Sequence, residues 1–184
     1  MKLKTIILIV ILIVILFSVI FFFAFGTNSS FYSNTCNSKP IPIVGEFIYR
    51  DQLVKELQII EQDCDYLNFI AENVNVIYAL NPGMMNAGEY HPGSFEIYAD
   101  PFASSEHISA AIIIHETCHA YQDKIKSGFS EEDCTTTEYN FLKNINAPKK
   151  DIIQFEKRNE SYYALLGYTT TGKDVFLDWN LTRN

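Results

Sequence analysis

The pentapeptide His115-Glu116-Thr117-Cys118-His119 has the residue types needed to hold a metal ion and to use it. Two imidazoles four residues apart on a helix lie about 40° apart around its axis, because each residue advances about 100°. Both rings then reach one ion from one face. Glu116 projects beside them, placed as a general base toward water polarised by the ion rather than as a ligand. This H-E-x-x-H pattern makes Zn2+ the expected cofactor. The lead-in Ile108-Ser109-Ala110-Ala111-Ile112-Ile113-Ile114 is almost wholly apolar and sets the pentapeptide on a helix that borders a core.

Catalytic zinc takes three protein ligands and keeps one position open. The third must come from another element. The helix carrying the histidines is expected to turn near Gly128, and the following helix to return antiparallel. Counting from the midpoint of the two histidines to that turn and back arrives near residue 139, where Glu138 falls. Glu131 lies seven residues earlier on the same helix face and sits on the order of 10 Å short of the metal in this register. It is the alternative ligand if the turn tightens toward residue 125.

The elements that must position these groups are legible from periodicity and punctuation. Apolar residues at Leu53, Leu57, Ile60, Cys64, Leu67 and Ile70 predict a helix within 49–71. Asn73–Leu80 alternates and is β-branched, a strand that Asn81-Pro82-Gly83 ends. Met84–Tyr90 and Phe95–Ala99 read as two strands joined by the turn His91-Pro92-Gly93-Ser94, with Phe95–Ala99 a candidate edge strand for pairing with an extended substrate. Ser104 or Ser105 caps the active-site helix, which runs to about Lys126. Ser130 caps the next, whose first turn is acidic and which runs to about Asn144. A last helix covers roughly 149–166.

H-E-x-x-H followed after 18 intervening residues by Glu138 resembles the gluzincin branch of the zincin metallopeptidases. The order of hairpin strands, active-site helix and ligand helix, over roughly 73–142, is similar to a compact zincin domain. The resemblance implies an α+β fold, with a small antiparallel sheet or hairpin packed on an active-site helix and a following ligand helix. It also implies peptide-bond hydrolysis, with His115, His119 and Glu138 on zinc and Glu116 as general base. A third histidine close behind His119, the metzincin pattern, is absent: Ala120-Tyr121-Gln122-Asp123-Lys124-Ile125 stands there. Two other functions fit the same residues. One is a non-catalytic exported module that binds a protein partner, and the other is a zinc hydrolase acting on a non-peptide bond. Glu116 argues against the first, since metal binding alone does not need it.

The N-terminus locates the domain. Thr5–Phe25 is a run of 21 residues without charge, Pro or Gly, enough to cross a hydrocarbon core of about 30 Å as a helix. Lys2 and Lys4 precede it, which predicts a cytoplasmic N-terminus and an exported remainder. Its length and its end in Phe-Ala-Phe-Gly favour an anchor over a cleaved signal peptide. The expected organisation is a stub (1–4), an anchor (5–25), a polar linker (26–39) and a metallopeptidase-like domain (40–184). The partners are then a peptide or protein substrate and the membrane. Without Lys2 and Lys4, 12 basic residues face 22 acidic ones, which argues against nucleic acid.

Export permits disulfides, and of the three pairings open to four cysteines Cys118–Cys134 with Cys36–Cys64 is preferred, with buried free thiols an equal alternative. Minor candidates have plainer readings. His91 is a turn residue and His107 points off the motif face. Tyr162, Tyr163 and Tyr168 read as a core stripe before oxyanion donors. Asn28, Asn159 and Asn180 stand in glycosylation sequons.

Overall fold

Strands here alternate buried and half-buried residues, the mark of a sheet with one covered face. Ile41, Ile43, Ile77, Ala79, Ile97 and Ala99 all point into the core, while Val44, Tyr78 and Tyr98 line the opposite face. The computed structural model describes residues 9–16, 28–36, 38–80 and 87–165, the backbone alone for 28 and 161–165. Helix α1 is described over 9–16. It is followed by β1 (Asn28–Tyr32), β2 (Ile41–Gly45), α2 (Phe47–Ile60), α3 (Cys64–Asn73), β3 (Val76–Ala79), β4 (Gly88–His91) and β5 (Glu96–Ala99). Helices α4 (Glu106–Ile125), α5 (Glu131–Asn144) and α6 (Lys149–Leu165) complete the order.

The fold is α+β, and its sheet is mixed rather than antiparallel. The strand order is β1-β2-β3-β5-β4. Strands β2, β3 and β5 run parallel, and β1 and β4 pair antiparallel at the two edges. The parallel step from β2 to β3 is made by α2 and α3; α2 and α4 pack on the sheet, and α3 packs on those two helices. The candidate substrate strand is thereby corrected. Phe95–Ala99 supplies β5, an inner strand hydrogen-bonded on both sides, and β4 takes the edge.

Two further expectations change. The apolar period across 49–71 belongs to two helices that bury one continuous face. The chain breaks at 61–63, where the Asp63 side chain accepts from Asp65 N–H and caps α3. The segment 26–39 is more than a linker, because β1 extends the sheet and Cys36 is bonded to Cys64 at the start of α3. Thr35 and Tyr32 also donate hydrogen bonds to Glu61. The expected anchor lies largely outside the described residues, and no described helix is long and apolar enough to cross a membrane.

Helix α4 is the axle of the domain. Ile108, Ala110, Ala111, Ile113 and Ile114 are buried, each buried isoleucine contributing about 1.5–3 kcal/mol of hydrophobic stabilisation. Ser105 caps it, accepting from Ile108 N–H. Glu56 of α2 is fully buried and has no hydrogen-bond partner among the described residues. Burial, with the charges of Glu106 and Asp100 adding, pushes its carboxyl up to about 9.

Such a group is neutral when folded and charged when unfolded between its ordinary value, near 4.5, and about 9. Folding takes up a proton across that window, so this group's contribution weakens as the pH rises through it. Glu56→Gln removes the penalty. The variant is expected to gain on wild type steadily from pH 5 to pH 9, by up to about 1.4 kcal/mol for each pH unit, with Tm rising in step. Parallel thermal melts across that range check this, and a constant offset would contradict it.

Candidate metal centre

The second half of α4 carries His115, Glu116 and His119 alongside β4, the edge strand. After Ile125 the chain reverses through Lys126 and Gly128, both left-handed (φ 56° and 81°). Glycine suits Gly128 because it adopts that conformation without strain. Ser130 then caps α5, its hydroxyl accepting from Asp133 N–H. The Cys118–Cys134 disulfide ties the two helices together, and Cys36–Cys64 is the other bridge, so the preferred pairing is the one present. A loop of this size is worth about 3 kcal/mol through the unfolded state.

That bridge also fixes the register. The bonded cysteines straddle Lys126, two residues earlier than the pivot assumed at Gly128. A reversal about Lys126 sets residue 135 opposite the midpoint of the histidines, between the two carboxylates, and it is Glu131, the first residue of α5, that reaches the Nε2 atoms. Its Oε2 lies 3.2 Å from His115 Nε2 and its Oε1 lies 3.2 Å from His119 Nε2. The two Nε2 atoms are 3.1 Å apart. These three residues are the group of potential ligands that converge on one point among the described residues.

Glu138 sits elsewhere. It is buried behind His115, 3.2 Å from that ring's Nδ1, and Arg158 of α6 donates to its other oxygen. The Nδ1 contact is at ion-pair distance without the alignment of a hydrogen bond. The structure therefore brings His115, His119 and Glu131 together and sets Glu138 on the far edge of the His115 ring.

The separations test the fit to a metal. Ligands about 2.0–2.1 Å from a tetrahedral ion are about 3.3 Å from one another. The rings are 3.1 Å apart at Nε2, each lies 3.2 Å from a different oxygen of Glu131, and one ligand atom from each of the three residues lies within 4.8 Å of the others, close enough for one ion to draw them together. The electrostatics fit as well. Burial pulls the His115 imidazole down, but the Glu131 and Glu138 carboxylates outweigh it and push its pKa up to about 9. The His119 imidazole is held below its usual value by burial and by the charge on His115. Glu131 is held low by its contact with His115. The site thus draws positive charge to the point between Glu131 and the rings, and a divalent cation would take the place of a proton there.

Glu116 stands beside this point, largely buried. Burial pushes its carboxyl up to about 7, with the charges of Glu131 and Glu138 adding, while the charge on His115 and the Tyr90 backbone N–H pull it down. Strand β4 packs directly on it. A Cβ at Gly88 would collide with Ile112 Cγ2 and sit 3.1 Å from Glu116 Cγ, so only glycine lets the strand lie this close. Asp123 pins the same strand to α4, accepting from Tyr90 Oη at 2.6 Å and Gly93 N–H at 2.8 Å.

A groove of about 330 Å³ runs over the site between Gly88–Tyr90 and Phe129. Phe129 is exposed at its rim, its ring against those of His119 and Tyr90.

Other sequence candidates fall away from this groove. His91 pairs with Glu89 and packs on Tyr98. His107 faces Asp151 at 3.2 Å, and Cys118 is disulfide-bonded. Asn159 donates to the Phe155 carbonyl. The side chains of Asn28, Tyr162 and Tyr163, and all of Tyr168 and Asn180, lie outside the described residues. Sequence reasoning missed Gly88, Gln122, Phe129 and Arg158. Of these only Gln122 carried a signal, three residues after His119 and so on its helix face.

No family model, curated protein or solved structure matches the chain.

Glu131→Ala is expected to lower zinc affinity by more than about 100-fold. Glu138→Gln, which disturbs only the support of His115, should lower it by about 10–100-fold. Competition titrations of the two variants against a chromophoric chelator decide between them. A larger loss from Glu138→Gln would restore Glu138 as the ligand.

Proposed function

We propose that this chain is a zinc-dependent metallopeptidase in which His115, His119 and Glu131 hold the ion and Glu116 is the general base. The observation that carries the reading is the convergence of those three side chains within 4.8 Å of one another, next to a buried carboxyl outside the ligand set. The gluzincin resemblance supports it, with the third-ligand role passing from Glu138 to Glu131. Zn2+ is the ion that suits two imidazoles and one carboxylate with an open corner, and when bound it would act as a Lewis acid toward water and a carbonyl oxygen.

The chain's own residues would do the rest. Glu116, with its pKa near 7, is poised to accept a proton from the attacking water and to return it to the leaving amine. Gly88 and the Tyr90 N–H hold that carboxyl against β4. The outer edge of β4 is unpaired among the described residues and borders the groove, so an extended peptide can add to it as a further strand. Asp123 keeps this edge at a fixed distance from α4. Phe129 offers an apolar face to a substrate side chain on the opposite rim. In this reading the apolar run 5–25 would tether the domain to a membrane, on the side opposite Lys2 and Lys4.

Glu116→Gln tests the assignment. The variant should keep one zinc per chain and lose at least about 10²–10⁴-fold in peptide hydrolysis, the usual worth of a positioned general base. Zinc content alongside digestion of a broad peptide library, wild type against variant, reads both. Zinc without cleavage in the wild type would favour a binding module, and cleavage confined to ester or amidase substrates would favour a non-peptide hydrolase.

A further inference from the structure

Gln122 is a buried polar side chain, one turn beyond His119 on α4, and every atom of its amide is used. Its Oε1 accepts from Ser130 N–H at 3.0 Å, and its Nε2 donates to Ser130 C=O at 3.2 Å. A backbone N–H can only donate and a backbone carbonyl can only accept, so these two bonds fix which end of the amide is oxygen. The third contact is then determined. His119 Nδ1 lies 3.3 Å from Oε1, an atom with no proton to give, so Nδ1 must carry the hydrogen. Cys134 Sγ, 3.5 Å from the same Nδ1, is likewise without a proton because it is bonded to Cys118. With Nδ1 protonated, the neutral ring has its lone pair on Nε2, the atom that faces Glu131 and His115.

The same amide settles a second question. Glu131 is half-exposed and is the first residue of α5, where helices fray. The residue immediately before it is Ser130, whose N–H and C=O are both held by Gln122. One side chain therefore sets the tautomer of one ligand and the backbone position next to another.

We propose that Gln122 is a positioning residue of the metal centre, coupling His119 on α4 to Glu131 on α5. The proposal rests on the metal reading above and can fail separately from it. Its role differs from that of the Cys118–Cys134 bridge, which sets the spacing of the helices and offers His119 Nδ1 only a weak sulfur acceptor, without holding the backbone at Ser130.

Three measurements on the full chain test it. In metal-free wild type, long-range 1H–15N NMR correlations should show His119 as the Nδ1–H tautomer, and an Nε2–H tautomer overturns the proposal. Gln122→Met keeps the volume and removes all three bonds. It should weaken Zn2+ binding about 10–100-fold, the usual effect of losing a partner behind the ligands, and should alter the visible absorption of the Co2+-substituted protein. Affinity within about threefold of wild type with an unchanged cobalt spectrum also overturns it.

Gln122→Glu keeps acceptors for His119 and for Ser130 N–H but sets a carboxylate oxygen against Ser130 C=O, so it should keep the Nδ1–H tautomer of His119 while losing part of the affinity. A His119 ring with the same tautomer in wild type, Met and Glu variants would reduce Gln122 to a packing residue. A wild type that binds no Zn2+ defeats the metal reading, yet the His119 tautomer still decides the role of Gln122. That measurement also stands if the Met variant does not fold.

Discussion

Two imidazole nitrogens and a carboxylate, each turned to one point at about 3 Å from the others, repel unless positive charge lies between them. Much of what surrounds α4 and α5 keeps these groups together against that repulsion. The disulfide, from the residue before His119 to one turn past Glu131, sets the helix spacing. The isoleucine-rich first half of α4 anchors the helix in the core, so the burden of the site does not fall on its own few contacts. A proton on His115 relieves the repulsion in the metal-free protein, as its raised pKa reflects. A divalent ion relieves it more completely, because it addresses all three groups at once.

The two carboxylates of α5 divide the labour by environment. Glu131, at the open end of the helix, can approach an ion without giving up all of its hydration. Glu138 is sealed beneath His115, and a buried carboxylate is costly without a partner. Arg158 supplies that partner from α6. The last helix thus contributes to the site without reaching it. It neutralises the carboxylate that faces His115 Nδ1, which in turn leaves Nε2 of the same ring for the metal side.

Much of this was legible because local signals and tertiary structure agree. Ser105 and Ser130 cap α4 and α5 where the sequence placed them, and His115 and His119 share a face by helical geometry alone. What could not be read depended on distances between elements. Counting residues back from Gly128 selected Glu138. The true pivot at Lys126 moves the facing position to about 135, between Glu131 and Glu138, and the choice then rests on which carboxylate reaches the Nε2 edges of the rings, which residue counting does not show. The place of β5 inside the sheet depends on its parallel pairing with β3, which no feature of Phe95–Ala99 announces. Strand β1 was hidden for a similar reason: Asn28–Tyr32 is polar because it lies at an edge, and its residues look like those of a linker.

Cys118 inside the pentapeptide follows from the same constraint. The position between Thr117 and His119 faces α5, not the groove, so its side chain cannot join the ligand set without distorting the helix. Any small apolar residue would fill that space, but only a cysteine can bond to Cys134 and fix the distance to α5. A ligand on the first residue of a helix is otherwise poorly held, since terminal turns open most readily. The covalent link one turn into α5 limits how far that opening can carry Glu131, and the Gln122 amide holds the residue on its other side. The proposed third ligand is thus held from both directions along the chain. This would allow a half-exposed side chain to serve in a site whose geometry must be kept to within a few tenths of an ångström.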